Sequence, residues 1–255
     1  MTGVADETAY AGLVAVVTGA SRGLGAGMAE ALALEGFRLG LCARTRPTPP
    51  AGSESLTGSL DVTDADAVDR FGVSVVEAFG RIDLWVNNAG LLDPIGPLVD
   101  ADPAEVRRNI EVNVLGVVHG SATFARHVRS RPGPGVLVNI SSGAAVHATE
   151  GWAAYCGGKA AVEMITEVMA LEERSAGLVA YALSPGLVDT DMQALIRSTS
   201  PADFPAVERF QEAHRNGAFN SPAWVTRYLL EELVGPAMTG MGRSQTVSRR
   251  VPDAS

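Results

Sequence analysis

Short apolar runs alternate with longer amphipathic stretches along most of this 255-residue chain, and this alternation restricts the fold more than any other feature. The apolar runs predict strands at 13–17, 37–43, 55–62, 82–88, 135–141, 178–184 and, more weakly, 244–250. The amphipathic stretches predict helices at 23–35, 64–79, 103–130, 153–174 and 222–234. Near-continuous apolar strands separated by helices are typical of a parallel sheet covered on both faces. We therefore expect an α/β fold with one doubly wound parallel sheet of about seven strands.

Two segments interrupt this alternation. The sequence "RTRPTPPAGSE" at 44–54 contains three prolines. Proline lacks an amide hydrogen and clashes inside a helix, so we predict a loop there. The segment 189–221 is irregular, contains "TSPADFP" and follows a predicted strand. We expect this segment, called the lid segment below, to cover a substrate site within a single domain that spans 1–255.

Composition and charge exclude several classes of partner. The chain has 46% hydrophobic and 19% charged residues, as globular proteins do. Its 29 acidic and 20 basic residues give a net charge of −9, which argues against nucleic acid or an anionic membrane as the main partner. Cys42 and Cys156 are too few for a disulfide framework, and the start "MTGVADETAYAG" lacks a signal-peptide pattern. We therefore expect a cytoplasmic protein.

The segment "TGASRGLG" at 18–25 lies between the first predicted strand and the first predicted helix. Gly19 permits a tight turn, Gly23 lets the backbone approach a pyrophosphate, and Gly25 lets helix and strand pack closely. The start of the helix offers free N–H groups and a positive dipole to phosphates. This strand–loop–helix context predicts a Rossmann-like dinucleotide site. The residues expected to contact the cofactor here are Gly19, Ser21, Arg22, Gly23, Leu24 and Gly25.

The second predicted strand ends in "LCART", without the carboxylate that usually binds the ribose 2′-hydroxyl of NAD. Arg44 in this segment and Arg22 in the glycine loop are forked cations that suit a 2′-phosphate. The alternative is that both are ordinary surface arginines. Because the acid is missing, we favour NADP(H) as the cofactor.

The third and fourth predicted strands also end in polar residues that border a ligand cleft in such a sheet. "NNAG" at 87–90 is either part of the cofactor site or an ordinary asparagine–glycine turn. Asp61 is expected to accept from the adenine amino group, or else it begins a helix cap with Thr63 and Asp64. The residues expected to border the cofactor here are Asp61, Val62, Asn88, Ala89 and Gly90.

The stretch "AAYCGGKAAVEMITEVMALEE" at 153–173 predicts a helix that places Tyr155 and Lys159 one turn apart on one face. In isolation such a pair is usually a solvated helix face. Together with "NISSGAAVHATEGW" and "EVNVLGVVHG", it makes the chain resemble the short-chain dehydrogenases/reductases over nearly its whole length. The family pattern has its serine thirteen residues before the tyrosine, so the resemblance favours Ser142 over Ser141. The resemblance implies a catalytic tetrad of Asn113, Ser142, Tyr155 and Lys159.

The same resemblance implies how the nicotinamide is held. The sequence "SPGLVDT" at 184–190 matches the segment whose backbone and threonine bind the nicotinamide carboxamide. The implied contacts are Pro185, Gly186, Val188 and Thr190, together with Tyr155 and Lys159.

The mechanism implied by the family has Tyr155 donate a proton to the substrate carbonyl oxygen as a hydride reaches the carbon. Ser142 would hydrogen-bond that oxygen, and Asn113 would keep an ordered water that links Lys159 to solvent. A free phenol has a pKa near ~10, and the ammonium of Lys159 is expected to lower it while also holding the nicotinamide ribose. The family further implies a homodimer or homotetramer.

"GWAAYCGGKAA", "MALEE" and "DTDMQALIR" resemble sepiapterin reductases and the related microbial benzil or dicarbonyl reductases, which use NADPH. We therefore expect an NADPH-dependent carbonyl reductase of a small-molecule ketone or dicarbonyl. Ser142, Trp152 and Met192 are the expected substrate contacts, although Trp152 is alternatively a packing residue. Asp253 does not match the carboxylate with which sepiapterin reductases anchor their substrate, so we interpret it as a frayed terminal residue.

Other functions remain as alternatives. Within the family, the chain is alternatively a 3-oxoacyl-carrier-protein reductase or another NADP-dependent alcohol dehydrogenase, although it lacks an obvious basic patch for an acidic carrier. Outside the enzymes, the alternative is a non-catalytic NADP-sensing protein, and the intact tetrad argues against it. No metal is predicted, because no metal-ligand spacing is formed by the four histidines, His119, His127, His147 and His214.

Overall fold

The computed structural model describes residues 10–239 and 247–254, which form one seven-stranded parallel sheet. The strand order β3–β2–β1–β4–β5–β6–β7 confirms the doubly wound fold predicted from the alternation. The strands are β1 (Val14–Thr18), β2 (Arg38–Ala43), β3 (Ser55–Ser59), β4 (Leu84–Asn87), β5 (Gly135–Ile140), β6 (Leu178–Ser184) and β7 (Ser248–Arg250). Every predicted strand is present, although residues 244–246 of the last prediction lie outside the described part of the chain.

Helices cover both faces of the sheet. They are α1 (Gly23–Leu34), α2 (Ala65–Phe79), α3 (Pro103–Ile110), α4 (Gly116–Arg129), α5 (Ala153–Glu172), α6 (Asp191–Ser198), α7 (Val207–Arg215), α8 (Pro222–Tyr228) and α9 (Gly235–Met238). The predicted helix 103–130 is present, but a π-turn at Glu111–Leu115 joins α3 to α4. A second π-turn, Leu229–Val234, joins α8 to α9. Such wide turns are frequent at functional sites.

Alternate residues of each central strand face two different helical layers. In β1, Val14 and Val16 pack in the same apolar cluster as Trp85, whereas Ala15 and Val17 belong to the cluster on the other face. All five residues of β1 are buried. A strand buried on both faces must be apolar throughout, and for this reason the strands appear in the sequence as continuous apolar runs.

The connection between β2 and β3 contains no helix, as the prolines of 44–54 predict. Arg46 Nη1 donates to the carbonyl oxygen of Thr57 at 2.8 Å and ties this loop to β3. β3 is an edge strand of the sheet and is only partly buried.

The expectation of an irregular lid segment is wrong, because this segment contains α6 and α7. Its helices are fixed by aromatic packing on Trp152, whose ring centroid lies 4.7 Å from that of Phe204 and 5.4 Å from that of Phe210. The Phe204 side chain is completely buried. Helices this short depend on tertiary packing, so no local pattern was strong enough to predict them.

Candidate active site

A cavity of about 970 Å³ opens at the carboxyl ends of the parallel strands. The glycine loop, the ends of β2 to β6, the start of α5 and the lid segment line it. Apart from Asn113, every residue that the sequence predicted for cofactor, substrate or catalysis lies on its wall. Ligands of doubly wound sheets bind at this position, so the cavity is the candidate active site.

Backbone groups form the cavity wall next to α1. Gly19 and Gly23 have φ angles of +67° and +58°, a left-handed conformation that suits glycine. A Cβ atom on Gly25 would lie 2.4 Å from Asn88 Nδ2 and 2.5 Å from the Gly19 carbonyl oxygen. α1 begins without a side-chain cap and without an acidic residue in its first turn. Its free N–H groups therefore fit the pyrophosphate of a dinucleotide.

The "NNAG" segment is joined to β1 by hydrogen bonds. Asn88 Nδ2 donates to the carbonyl oxygens of Thr18 and Gly19 at 2.9 Å and 3.3 Å. The backbone N–H groups of Asn88 and Ala89 donate to Thr18 Oγ1 at 3.0 Å and 3.1 Å. These contacts hold the glycine loop against β4, at the point where the strand order reverses direction. The segment is therefore more than a local turn.

Asp61 is a charged acceptor on the cavity wall rather than a helix cap. It accepts from the backbone N–H and hydroxyl of Thr63 at 3.0 Å and 2.9 Å, and from Arg108 Nη2 at 2.6 Å. Burial acts to raise the pKa of Asp61, but these hydrogen bonds outweigh it and lower the pKa. Asp64 caps α2 instead, because its Oδ1 accepts from the Ala67 N–H at 3.0 Å.

The two arginines predicted at the cofactor end differ in their partners. Arg22 Nη1 donates to Asp191 Oδ2 at 2.9 Å, which forms an exposed ion pair between the glycine loop and α6. The Arg44 guanidinium makes no hydrogen bond or ion pair with any residue that the structure describes. Both side chains line the cavity. Arg44 is thus available to an anion, whereas Arg22 is shared with Asp191.

A phenol, a hydroxyl and an ammonium group meet at the start of α5. Tyr155 and Lys159 are both buried, and Lys159 is the only lysine in the sequence. Lys159 Nζ donates to the carbonyl oxygen of Ile140 at 2.7 Å and lies 5.6 Å from the centroid of the Tyr155 ring. Ser142 follows β5, and its Oγ accepts from the Ala144 N–H at 3.2 Å.

Burial controls how these side chains titrate. It raises the pKa of Tyr155, while hydrogen bonding with Ser142 acts to lower it. It lowers the pKa of Lys159 to about 8, against the opposing effect of the Glu163 charge. The net pKa of Tyr155 is thus raised and not lowered, because the burial of the phenol outweighs the hydrogen bonding around it, and the expected influence of Lys159 on this pKa stays a prediction.

Asn113 lies behind the cavity wall, in the π-turn between α3 and α4. Its Oδ1 accepts from the Leu91 N–H at 2.9 Å, and its Nδ2 donates to the Leu91 carbonyl oxygen at 2.7 Å and to Asn109 Oδ1 at 2.8 Å. The side chain thus fixes the segment that follows "NNAG". Its expected role in ordering a water molecule stays a prediction.

The segment after β6 is held in place by Asn220. Asn220 Nδ2 donates to the carbonyl oxygen of Pro185 at 2.9 Å, and its backbone N–H donates to that of Leu187 at 2.7 Å. Thr190 precedes α6, and its hydroxyl makes no hydrogen bond with the described residues. A Cβ atom on Gly23 would lie 3.3 Å from Thr190 Cγ2, so the lid segment touches the glycine loop here.

Aromatic and lid side chains line the remaining wall. The rings of Trp152 and Tyr155 meet edge to face, with centroids 5.7 Å apart, and Met192 lines the same cavity. Trp152 therefore both packs against the lid segment and borders the site. Trp152 Nε1 and Gln193 Oε1 are buried without a hydrogen-bond partner among the described residues. Orphaned polar atoms of this kind are costly and are uncommon away from functional sites.

Several polar residues of the wall were missed by sequence reasoning. Four of them are His147, Thr149, Gln193 and Arg209. Their position just before α5 or within the lid segment was the available signal. It does not separate side chains that face the cavity from those that face solvent.

Asp253 was wrongly interpreted as a frayed residue. It lines the cavity, and the chain around it is fixed. Val251 is completely buried, the Ala254 N–H donates to Asn220 Oδ1 at 2.8 Å, and Trp224 Nε1 donates to the Pro252 carbonyl oxygen at 2.9 Å. These contacts join residues far apart in sequence, so no local pattern indicated them.

Residues 10–239 and 247–254 contain neither a metal site nor a bilayer-spanning helix. No group of three or more His, Cys, Asp or Glu side chains there is arranged to hold a metal ion. No helix in the same ranges is long and apolar enough to span a bilayer.

Comparisons with known proteins match nearly the whole chain. A family model described as short chain dehydrogenase matches residues 13–201. Benzil reductase ((S)-benzoin forming) of Bacillus subtilis strain 168 is 32% identical over 225 residues, which cover 86% of this chain and 92% of that protein. The Bacillus cereus protein of the same name is 30% identical over 224 residues, with 83% and 90% covered. The crystal structure of KRED1-Pglu superposes with a TM-score of 0.81 at 31% identity, over 94% of this chain and 100% of that one.

Proposed function

Because the chain belongs to the short-chain dehydrogenase family, whose members oxidise alcohols or reduce carbonyl groups with nicotinamide cofactors, we propose that it is an NADPH-dependent carbonyl reductase of small ketones or dicarbonyls. The observation that carries this proposal is the meeting of Ser142, Tyr155 and Lys159 in the cavity that the glycine loop also lines. A proton donor, a carbonyl-binding hydroxyl and a dinucleotide cradle thereby share one space.

Each of these residues has a distinct task in the proposed reaction. The Ser142 hydroxyl donates a hydrogen bond to the substrate carbonyl oxygen and stabilises the charge that develops there. The Tyr155 phenol gives its proton to that oxygen, and burial keeps it protonated until it is needed. The Lys159 ammonium supplies positive charge beside the phenol, 5.6 Å from the ring centroid. When bound, the nicotinamide supplies the hydride.

The preference for NADPH rests on the cavity wall beside β2. No carboxylate directly follows this strand, and the guanidinium of Arg44, which has no partner among the described residues, is suited to a 2′-phosphate. Arg22 would bind the same phosphate, and its guanidinium would then release the carboxylate of Asp191. Arg46 is engaged with the Thr57 carbonyl oxygen, so it is not part of this proposal.

The substrate class rests on the relatives and on the aromatic wall. The two Bacillus relatives reduce benzil, a diketone with two aromatic rings. In this chain, Trp152, Phe210 and Phe219 give the cavity aromatic surface on which such a substrate could pack. A 3-oxoacyl carrier protein would instead need a basic docking patch, and none is evident on this acidic chain.

The test is the rate of NADPH oxidation by the purified protein with benzil, other diketones, sepiapterin and an acetoacetyl thioester, each repeated with NADH. We expect turnover of diketones with NADPH, and a loss of activity of about 100-fold or more in Tyr155→Phe, which lacks the proton donor.

The cofactor preference is tested with two arginine variants. Arg44→Ala should reduce the NADPH preference about tenfold, whereas the control Arg46→Ala should keep it. NADPH binding without turnover of any substrate would favour the sensing protein. A preference for NADH would contradict the role of Arg22 and Arg44.

We also propose that the protein acts in the cytoplasm as a homodimer or homotetramer. α5 exposes Met164, Val168 and Leu171, which are 61%, 41% and 68% accessible and lie at helical spacing on one face. An apolar stripe of this kind is suited to a second copy of the same helix. Light scattering on the purified protein tests this, and a monomer would contradict it.

A further inference from the structure

Three successive residues at the end of β5 are fastened to α5 by hydrogen bonds. Asn139 Nδ2 donates to Thr166 Oγ1 at 2.9 Å, and the Ile140 carbonyl oxygen accepts from Lys159 Nζ at 2.7 Å. The Ser141 hydroxyl donates to Glu163 Oε1. The next residue along the chain is Ser142. The position of Ser142 relative to Tyr155 and Lys159 therefore depends on contacts between β5 and α5.

The carboxylate of Glu163 connects three elements at once. Its Oε1 accepts from Ser141, at the end of β5, and its Oε2 accepts from the hydroxyl of Ser248 in β7. β7 leads directly to Asp253, on the cavity wall. Neither oxygen is thus left to solvent alone, which distinguishes Glu163 from an ordinary surface acid of a long helix.

Glu163 also follows Lys159 by four residues, so the two side chains share one face of α5. Lys159 Nζ lies 5.6 Å from the centroid of the Tyr155 ring, and among the described residues Glu163 supplies the charge that acts on the pKa of Lys159. From β5 the neutral Ile140 carbonyl oxygen accepts from Lys159 Nζ, and the neutral Asn113 amide lies nearby, because a Cβ atom on Gly90 would be 3.1 Å from Asn113 Oδ1 and 3.9 Å from Lys159 Nζ. Glu163 is therefore the negative charge that compensates the buried ammonium.

We propose that Glu163 is a positioning residue of the active site, which holds Ser142 in place through Ser141 and supplies the counter-charge that keeps Lys159 an ammonium ion. This inference deepens the proposed function, because it takes from it the roles of Ser142 and Lys159. Burial alone lowers the pKa of Lys159, and the Glu163 charge opposes that effect. Removing the charge should therefore let the ammonium lose its proton at lower pH.

The single lysine allows this to be tested without any substrate. Protein grown with 13C-labelled lysine gives one lysine side-chain signal, from Lys159, whose chemical shift reports its protonation. We expect the titration midpoint to fall by about 0.5 to 1 pH unit in Glu163→Gln, which keeps hydrogen-bonding groups but lacks the charge. The matched control is Glu167→Gln, an exposed acid one turn further along α5. It removes the same charge from the chain and should leave the midpoint unchanged.

Activity assays then separate positioning from simple stabilisation. With a substrate that the wild type reduces, kcat/KM should fall at high pH. In Glu163→Gln the pH of this fall should decrease by the same number of pH units as the titration midpoint of Lys159. Ser141→Ala should lower kcat about tenfold at unchanged lysine midpoint, because it frees Ser142 without removing charge. Should Glu163→Gln fail to fold, Ser141→Ala still tests the contact.

The outcomes distinguish this inference from the proposed function. An unchanged lysine midpoint in Glu163→Gln, or a shift of equal size in Glu167→Gln, would overturn the electrostatic part. A Ser141→Ala variant with normal kcat would overturn the positioning part. If the wild type reduces no ketone but the lysine midpoint moves as expected, the proposed function fails while the electrostatic effect of Glu163 on Lys159 stands.

Discussion

The cavity has a proposed cofactor end, at the glycine loop, and a proposed substrate end, at the lid segment, and these two ends are built in different ways. At the glycine loop the wall consists of backbone, and Gly25 leaves no space for a methyl group. At the lid segment the wall consists of side chains, among them Trp152 and Phe210, and buried Phe204 packs against both without lining the cavity. Where backbone atoms form the wall there is little space for new side chains, so few substitutions are tolerated. Where side chains form the wall, every substitution changes the shape of the cavity.

This difference indicates which properties of the protein can vary independently. The cofactor end is bonded to the sheet through Asn88 and Thr18, whereas the lid segment is held by packing on Trp152. Substitutions in the lid segment should therefore alter substrate preference and leave cofactor affinity unchanged. Substitutions in the glycine loop should do the reverse.

Of the substitutions that test this comparison, Gly25→Ala should have the largest effect, and it should act on the affinity for NADPH. Overpacking against the Gly19 carbonyl oxygen costs about 1–3 kcal/mol, so the NADPH dissociation constant should rise about 5- to 150-fold in a calorimetric titration. Gly157→Ala is the control, because its methyl group would meet open space on α5. Equal NADPH affinity in the two variants would contradict the view that close backbone contact defines the cofactor end.

The next effect concerns Lys159, which lies between the two ends. Its pKa is lowered to about 8, so its ammonium form dominates below that pH and its neutral form above it. Because the pKa of Tyr155 is raised, the phenol keeps its proton over the same range. At saturating substrate, kcat should be level below this pH and fall about tenfold for each further unit. A kcat that rises through this range would show that the ammonium is not needed.

Phe204→Leu should affect only the substrate end. The loss of an aromatic pair with Trp152 costs about 0.5–1.5 kcal/mol, so KM for a diketone should rise about threefold or more, with NADPH affinity unchanged. Phe124→Leu is the matched control for Phe204→Leu. Buried Phe124 also pairs with a tryptophan, Trp85, with ring centroids 6.1 Å apart, but in another layer of the protein. The control variant should lower the melting temperature but leave KM as it is. An equal rise of KM in both variants would mean that the effect is general destabilisation.

The smallest effect is expected where the two ends touch, at the ion pair of Arg22 with Asp191. Exposed pairs contribute about 0–1 kcal/mol, so Asp191→Asn should free Arg22 and tighten NADPH binding by at most about fivefold. NADH has no 2′-phosphate and should bind as before. Asp189→Asn is the control, since Asp189 pairs with Arg197 inside the lid segment at 3.1 Å. Equal tightening of NADH would argue against a phosphate partner for Arg22.

Most of the fold could be predicted because each central strand is buried on both faces, as Val14 to Thr18 illustrate. The π-turn at Glu111–Leu115 could not, since its neighbours have an ordinary helical pattern. The helices of the lid segment could not either, because Phe204 stabilises them through Trp152, far away in the sequence.

The cofactor end of the site could be predicted because its glycines lie within a few residues of one another, so the local sequence alone indicates the loop. The substrate end was only partly predicted. Asp253 is held at the wall by the bond between Ala254 and Asn220, and Glu163 accepts hydrogen bonds from two serines that are distant in the sequence. The direction of the Tyr155 pKa depends on burial, which the spacing of residues does not give.

Lys159 carries the only side-chain primary amine of the protein, and this residue is 5% exposed. Activated esters and other lysine-directed reagents that attach dyes or solid supports therefore find no amino side chain on the described surface. The basic side chains displayed there are arginines, which such reagents leave intact. Side-chain modification by these reagents would thus require the cavity to admit them, and a bound dinucleotide should suppress it. The extent to which the Lys159 amine is modified can therefore report whether a dinucleotide occupies the cavity.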